Sequence, residues 1–397
     1  MAPTIGQRIR QLRGKLLSQR ELADRAGVSV DLIRKLEQGV RHTASVSSLQ
    51  RIARALDVTA AELLGRTSAA PSANPAAGVV AIRRALTPVD DLLGDEVGVL
   101  DGEPLTIEAA EQTVTYLWGA YWAGRYELLS AMLPAALMQL RATYRAVPTA
   151  ERARAAEALA RAYQAAGDTL VHLGHQDAAW LAVREALEAA QHGADALLCS
   201  ALRVSVSWQL LVQGRYAESE RVAVVAADAI TPAVPTEVAA YGLLTVTAAT
   251  AAARAGSKDA AAELLGAARR MADQLGCDRA DHQSTFGPAK VAMLAVDVNV
   301  VQEEYPAALA AAKALPRDAD LPLASRARHL ADVALAQLRT GQHEHALQTV
   351  LTMDRMAPDW IKYQTLPRQV TAELVEEHRR VPAPLRELAM RIGAMDR

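Results

Sequence analysis

The chain has 397 residues, a length that fits two or three domains, or one small domain followed by a long repeat array. Half of it is hydrophobic, much of that alanine, with a single Phe, which favours helix over strand; two distant cysteines, Cys199 and Cys277, exclude a disulfide framework or Cys-rich zinc site and fit a reducing compartment. The near-neutral total hides a division: residues 1–66 hold 12 Lys and Arg against 6 Asp and Glu, net +6, and the remainder 31 against 39, net −8, as expected when only the N-terminal part meets phosphate.

Arg8, Arg10, Arg13 and Lys15 have no apolar core between them and do not read as a signal peptide. Ile5 to Leu16 predicts a first helix, with Ile5, Ile9 and Leu12 as its inner stripe. Ser18 caps a second helix, and Glu21 three residues on completes a capping box. That helix runs to about Ala26, and Gly27 can take the positive φ of a tight turn. Ser29 caps a third helix that ends near Gln38, with Gly39 just beyond. Two short helices around a Gly-containing turn have the layout of a helix-turn-helix. Leu22, Ala23, Val28, Leu32, Ile33 and Leu36 recur at helical spacing and face inward. Val30, Asp31, Arg34, Lys35 and Gln38 then face outward, and cations with an amide on so short a helix suit a major groove. On an isolated helix the same face would read as solvated surface; here caps, turn and flanking helices act together. Ser45–Leu56 and Thr59–Leu64 are the closing helices, with Leu49, Ile52, Ala53 and Leu56 inward.

Gln19, Glu21-Leu22-Ala23, Ala26-Gly27-Val28-Ser29, Ile33, Glu37, Gly39, Ile52-Ala53 and Ala55-Leu56 resemble the helix-turn-helix of phage-repressor/XRE-type regulators, over roughly the first sixty-five residues. Family members usually carry a Gly before the Leu-Ser-Gln and a slightly longer turn, where this chain reads Leu16-Leu17-Ser18-Gln19. The resemblance implies a DNA-contacting set of Gln19, Arg20, Ser29, Val30, Asp31, Arg34, Lys35, Gln38, Arg41 and His42. Gln19 begins the helix that binds a phosphate in the family, and Val30, Asp31 and Lys35 match its base-reading positions. Lys35 could donate to guanine O6 or N7, and Val30 could touch a thymine methyl. Asp31 could accept from a cytosine amino group or simply favour the positive end of its own helix. Arg34, Gln38, Arg41 and His42 suit phosphates, which position rather than specify. Arg13 either pairs with Glu37 across the core, as family members often do, or both charges are exposed.

Residues 66–78 are Ala-, Ser- and Pro-rich without periodic hydrophobics and read as a linker. A short helix around Val80–Leu86 and a turn-rich passage, Gly94–Pro104, follow. From Thr106 onward the pattern is helical, broken at Gly124, Gly174, Gly214, Gly256 and Gly341, which are 50, 40, 42 and 85 residues apart. The last gap is two periods, with Glu304-Tyr305-Pro306-Ala307 as a Gly-less break near its middle. A helix, a tight turn and a small-residue helix every forty or so residues predict about six hairpins of a solenoid with an extended concave surface. The apolar run Ala239–Ala253 reads as a buried repeat helix, not a membrane span.

The body resembles a degenerate tetratricopeptide array. Thr285-Phe286-Gly287-Pro288-Ala289-Lys290-Val291, Ser325 to Val333 and Ala357-Pro358 also resemble actinobacterial regulators with an XRE head, whose members carry Asn at the position of Lys290. More broadly the layout is similar to peptide-responsive quorum-sensing regulators of Gram-positive bacteria, which implies a body that binds a short signal peptide. Polar residues on apolar helices are the candidate ligand contacts: Arg203 and Gln209, Lys290 and Asn299, and Arg326 with His329, the last two one turn apart on a shared face. For each, interhelical hydrogen bonding is the competing reading. His172/His175 and His343/His345 lack ligand spacing for a metal and read as exposed turn residues. Trp118, Trp122, Trp180, Trp208 and Trp360 read as packing.

The sequence therefore predicts an all-α protein: a five-helix helix-turn-helix domain at 1–66, a linker at 67–78 and a tetratricopeptide-like body at 79–397. The expected function is a cytoplasmic, nucleoid-associated transcriptional regulator that binds a double-stranded operator as a homodimer and senses a peptide or other small ligand. No enzyme activity, cofactor, metal or membrane partner is expected, since no phosphate loop, nucleophile elbow or paired-carboxylate site is present. The competing readings are a scaffold or antitoxin-like partner with an autoregulatory head, discriminated by a broad apolar patch, and an enzyme fused to a DNA-binding head, discriminated by a deep pocket with a nucleophile and base.

Overall fold

The computed structural model describes residues 4–14, 17–41, 44, 46–56, 63, 75–88, 102–316 and 319–395. One compact unit is built on residues 1–73 and another on 74–209 and 216–397.

In the first unit, α1 (Ile5–Arg13) begins at Thr4, whose hydroxyl accepts from the Gln7 N–H while the Gln7 side chain accepts from the Thr4 N–H. It ends at Gly14, short of the expected Leu16. Leu12 is not in the inner stripe; it is 44 % exposed. The reason is Gly6, where a Cβ would stand 1.7 Å from the Leu36 carbonyl oxygen. The helix therefore meets its neighbour through Gly6, Ile9 and Arg13, and Leu12 turns to the edge. Helices α2 (Gln19–Ala26), α3 (Val30–Glu37) and α4 (Val46–Ala55) follow. Ile9, Leu22, Ala23, Ile33, Leu36, Leu49, Ile52 and Ala53 form the core, with Val28, Leu32 and Leu56 packed against it. The expected fifth helix lies outside the described residues except Leu63, which is buried in this core.

Most of the stretch read as linker also lies outside the described residues, but its end does not. Helix α5 runs Pro75–Leu86, so residues 75–78 are helical and start with a Pro whose missing N–H costs nothing there. Val79, Ile82, Ala85 and Leu86 are buried, which makes α5 part of the body.

The body is a series of helix pairs: α6 (Ile107–Trp122) with α7 (Tyr126–Ala146), α8 (Arg152–His172) with α9 (Gln176–Ala190), α10 (Leu198–Val212) with α11 (Tyr216–Asp228), α12 (Pro235–Ala255) with α13 (Lys258–Leu275), α14 (Pro288–Val301) with α15 (Tyr305–Ala312), and α16 (Leu323–Arg339) with α17 (His343–Met356). A further pair, α18 (Thr365–Glu377) and α19 (Ala383–Ile392), follows. The six breaks read from the sequence fall at the turns within the first six of these seven pairs. Five of their turns put Gly at φ between 72° and 87°, and the next residue donates its N–H five residues back, as from His175 to the Leu170 carbonyl at 2.8 Å. In the Gly-less turn Glu303 takes this conformation at φ 63°, and Glu304 donates to the Asn299 carbonyl at 2.9 Å.

Helix α12 is long and apolar enough to cross a membrane, but 78 % of its apolar window is buried inside the body. One feature departs from helix: β1 (Arg279–Asp281) pairs antiparallel with β2 (Ser284–Phe286) through a two-residue turn with His282 and Gln283 both at positive φ. That strained turn is pinned at both residues. The His282 Nε2 lies 2.9 Å from Asp195 Oδ2, and Trp122 Nε1 donates to the Gln283 carbonyl at 2.8 Å. Helix α16 also touches α6, and the Tyr363 hydroxyl donates to Glu127 at 2.8 Å. The inner faces are therefore bridged, where the repeat pattern predicted one extended concave surface.

Candidate nucleic-acid interface and body interior

The helix-turn-helix is built by local caps. The Ser18 hydroxyl accepts from the Glu21 N–H and the Glu21 carboxylate accepts from the Ser18 N–H, at 3.1 and 2.7 Å. Gly27 ends α2 in the left-handed region, and the Ser29 hydroxyl caps α3 through the Leu32 N–H at 3.2 Å. From α4, Arg51 donates to the Gly27 carbonyl at 3.1 Å, a tie to the turn that sequence spacing did not suggest.

Arg13 does pair with Glu37. Its Nε and Nη2 donate to the two carboxylate oxygens at 2.8 and 3.0 Å, and Nη1 donates to the Leu17 carbonyl at 2.5 Å. Gln19, expected at a phosphate, donates its Nε2 to the same Glu37 at 2.8 Å. One of its amide hydrogens therefore supports the contact between α2 and α3. Burial pushes the Glu37 carboxyl up, but the bonds from Arg13 and Gln19 outweigh this and hold it below the usual range.

On the outer face of α3, Val30 is 40 % exposed, and Arg20, Ser29, Asp31, Arg34, Lys35, Gln38 and Arg41 are exposed with it. His42 lies outside the described residues. Asp31 occupies the middle of this face and pairs with both Arg34 and Lys35, the latter at 2.7 Å. These bonds, that from Lys35 foremost, hold its carboxyl below the usual range. The two central cations are thus gathered on one intrahelical carboxylate. The Arg41 N–H donates to the Lys35 carbonyl at 3.0 Å, folding the chain after Gly39 back along the end of α3.

Arg326 and His329 do not share a face: Arg326 is exposed and donates to the Ala319 carbonyl at 2.5 Å, while His329 is buried. Two positions that flank the side of a helix separate when packing falls between them. Asn299 donates to the Ala295 carbonyl of its own helix at 2.8 Å. Arg203 is half-buried and Gln209 fully buried.

Half-buried Arg328, between Arg326 and His329, reaches inward to partners the sequence did not single out. Asp297 accepts two bonds from Arg254, at 2.8 and 2.7 Å, and one from Arg328 at 2.7 Å. Arg328 also reaches Asp332 at 3.1 Å. The only advance signal was the i, i+4 spacing of Arg328 and Asp332. Lys290, a sequence candidate, lies beside this cluster, its ammonium pushed down to about 8 by burial against the pull of Asp297 and Asp278.

His172 is not an exposed turn residue. Its ring stacks on Tyr126 at 4.3 Å and lies 5.1 Å from Trp208, and its Nε2 is 3.3 Å from the Tyr121 hydroxyl. Burial, with the Arg328 charge, pushes it down to about 3. Next to it, Asp168 accepts from Ser205 at 2.9 Å and is pushed up to about 7 by burial, against the bond from Ser205.

No curated protein sequence matches the chain. Among solved structures, Bacillus thuringiensis PlcR in complex with the peptide PapR7 and DNA matches at 12 % identity over 69 % of this chain and 96 % of that one, with a TM-score of 0.30. So loose a likeness adds nothing to the helix pairing already described. Residues 9–63 match the Helix-turn-helix family, the span that holds Ile9, both capped helices and the Leu63 closure. The N-terminal unit is a helix-turn-helix DNA-binding domain of the XRE type.

Proposed function

We propose that the protein is a sequence-specific transcriptional regulator, in which α3 reads an operator and the helical-repeat body dimerises and senses a small ligand. The observation that carries this reading is the outer face of α3, where Val30, Arg34, Lys35 and Gln38 stand exposed on a helix fixed by Ser29, Arg51 and the Arg13–Glu37 pair. Lys35 and Val30 are the base readers, and Arg34, Gln38 and Arg41 contact phosphates with Arg20 and Ser29 at the α2 and α3 N-termini. Gln19 contributes its remaining amide hydrogen to a phosphate. One such head makes few base contacts, so a homodimer on two half-sites about one helical turn apart is the expected mode.

The sensor reading rests on the polar interior. Arg254, Lys290, Asp297, Arg328 and Asp332 come from three successive hairpins, and a ligand bridging them would bias hairpin spacing. Only differential affinity for two body conformations can shift such an equilibrium. The cleft between α10, α12 and the β-hairpin, lined by Ala201, Val204, Leu243, Arg279 and His282, encloses only about 10 Å³, the space of a single water. The test is genome-wide binding-site mapping with and without culture supernatant, beside sedimentation of the full chain. A monomer on DNA, or sites without a shared sequence, refutes the proposal.

A further inference from the structure

The interior cluster has one cation too many. Lys290 stands on α14 at the same face as Asp297, seven residues on, and Arg328 comes from the next inner helix, α16. The carboxylates nearest Lys290 are both committed elsewhere. Asp297 carries the paired bonds from Arg254 and the bond from Arg328. Asp278 caps α14, accepting from the Ala289 and Lys290 N–H groups at 3.2 Å each. The Lys290 ammonium makes no hydrogen bond or ion pair among the described residues. Arg328 spends Nε and Nη2 on Asp297 and Asp332, yet its side chain remains 42 % exposed. The two cations also feel each other, since Arg328 works against the Lys290 charge. A half-buried ammonium without a hydrogen bond, opposed by a second cation and facing Asp297 and Asp278 whose oxygens are spent on other donors, is incompletely compensated and costs free energy.

Resting on the sensor reading, we propose that Lys290 and Arg328 form the receptor for an anionic group of the ligand, a carboxylate or a phosphate. The ammonium supplies a point charge and the free edge of the guanidinium a directed donor. An anion between them supplies the counter-charge that Asp297 and Asp278 cannot, and ties α14 to α16.

The experiment follows thermal unfolding of the full chain and of Lys290→Met. The probes are N-acetyl-tetraalanine as free acid, the same peptide as C-terminal amide, and inorganic phosphate. Without ligand, Lys290→Met melts higher than wild type, because an unpaired charge has been replaced by a side chain of similar length. Wild type is stabilised by the free acid or by phosphate, which separates the two sources, and not by the amide. In Lys290→Met that response is weaker by about tenfold or more, the worth of one charge-assisted bond. Arg328→Lys, which keeps the charge, retains part of it. Equal responses of wild type and Lys290→Met, no response of wild type to either anion, or a lower ligand-free melting point in Lys290→Met each overturn the proposal. Operator affinity measured alongside separates the two readings. A probe that binds through Lys290 but leaves operator affinity unchanged removes the sensor reading and keeps the anion site; a supernatant effect on operator binding that survives in Lys290→Met does the reverse.

Discussion

Replacing Arg13 by Met removes two of the three hydrogen bonds to Glu37, whose side chain is only 3 % exposed. Breaking a fully buried pair from one side costs about 3–5 kcal/mol, because the remaining charge stays buried. Arg13 is itself 15 % exposed, so water reaches the vacated side and the low end, about 3 kcal/mol, is expected. The first unit contains no Trp or Tyr, so its unfolding is silent in fluorescence. Hydrogen exchange of peptides from residues 5–37 of the full chain reads it directly, and about 3 kcal/mol corresponds to roughly a hundredfold loss of protection. The double variant Arg13→Met/Glu37→Met recovers most of the loss, since neither charge is then buried. The pH dependence has a definite sign. In wild type Glu37 titrates below its ordinary value of 4.5, so the stability it contributes is present above that value and fades as pH falls through the depressed one. In Arg13→Met burial dominates and the carboxyl is raised, so the defect shrinks on acidification. Unchanged protection in Arg13→Met, or a double variant worse than the single, would falsify the desolvation argument.

Asp31→Asn releases Arg34 and Lys35 on an exposed face, so stability should change by only a few tenths of a kcal/mol while affinity for random-sequence DNA rises severalfold; anisotropy titrations on operator and random duplexes at several salt concentrations measure both, and unchanged random-sequence affinity contradicts the gathering of these cations. Lys35→Ala should abolish operator preference at a cost of about 1–3 kcal/mol, whereas Arg41→Ala should weaken all sequences alike and lower the salt slope by about one; intact preference in Lys35→Ala misplaces the reading face. Gly242→Ala sets a Cβ 2.1 Å from the Phe286 ring and should cost about 1–3 kcal/mol or more in calorimetry of the body, with partial recovery on adding Phe286→Ala. Asp168 is raised to about 7, so it withdraws stability as pH rises from its unfolded value near 4 to that point. Asp168→Asn should therefore stabilise by about 4 kcal/mol at pH 8 and little at pH 4; equal effects at both pH values would show that the carboxyl ionises freely.

Much of the molecule is written locally. Ser18 with Glu21, Gly27, and Ser29 define two helices and a turn within a dozen residues, because caps and positive-φ glycines act over one helical turn. The same holds for the body hairpins, where Gly at the left-handed position and two small-residue helices repeat often enough to be counted, even with Glu303 standing in once. The outward face of α3 was also legible, since Ile33 and Leu36 fix its phase from inside.

What the tertiary structure decided is where side chains of ambiguous phase go. Leu12 is displaced by the close approach at Gly6, and Gln19 is drawn to Glu37 from a helix end that is otherwise solvent-facing. Arg326, Arg328 and His329 lie within one turn of α16, and their sequence does not say which of them faces the interior. That depends on Asp297 and Arg254, which arrive from hairpins 31 and 74 positions earlier in the chain. His172 is likewise an unremarkable residue near a turn until Tyr126 and Trp208 close over it. Caps and turns are properties of neighbours in sequence, so the sequence by itself determined the helix-turn-helix and the repeat; an interior charge cluster is a property of helices that meet only after packing, and its energy exists only once water has been excluded from between them.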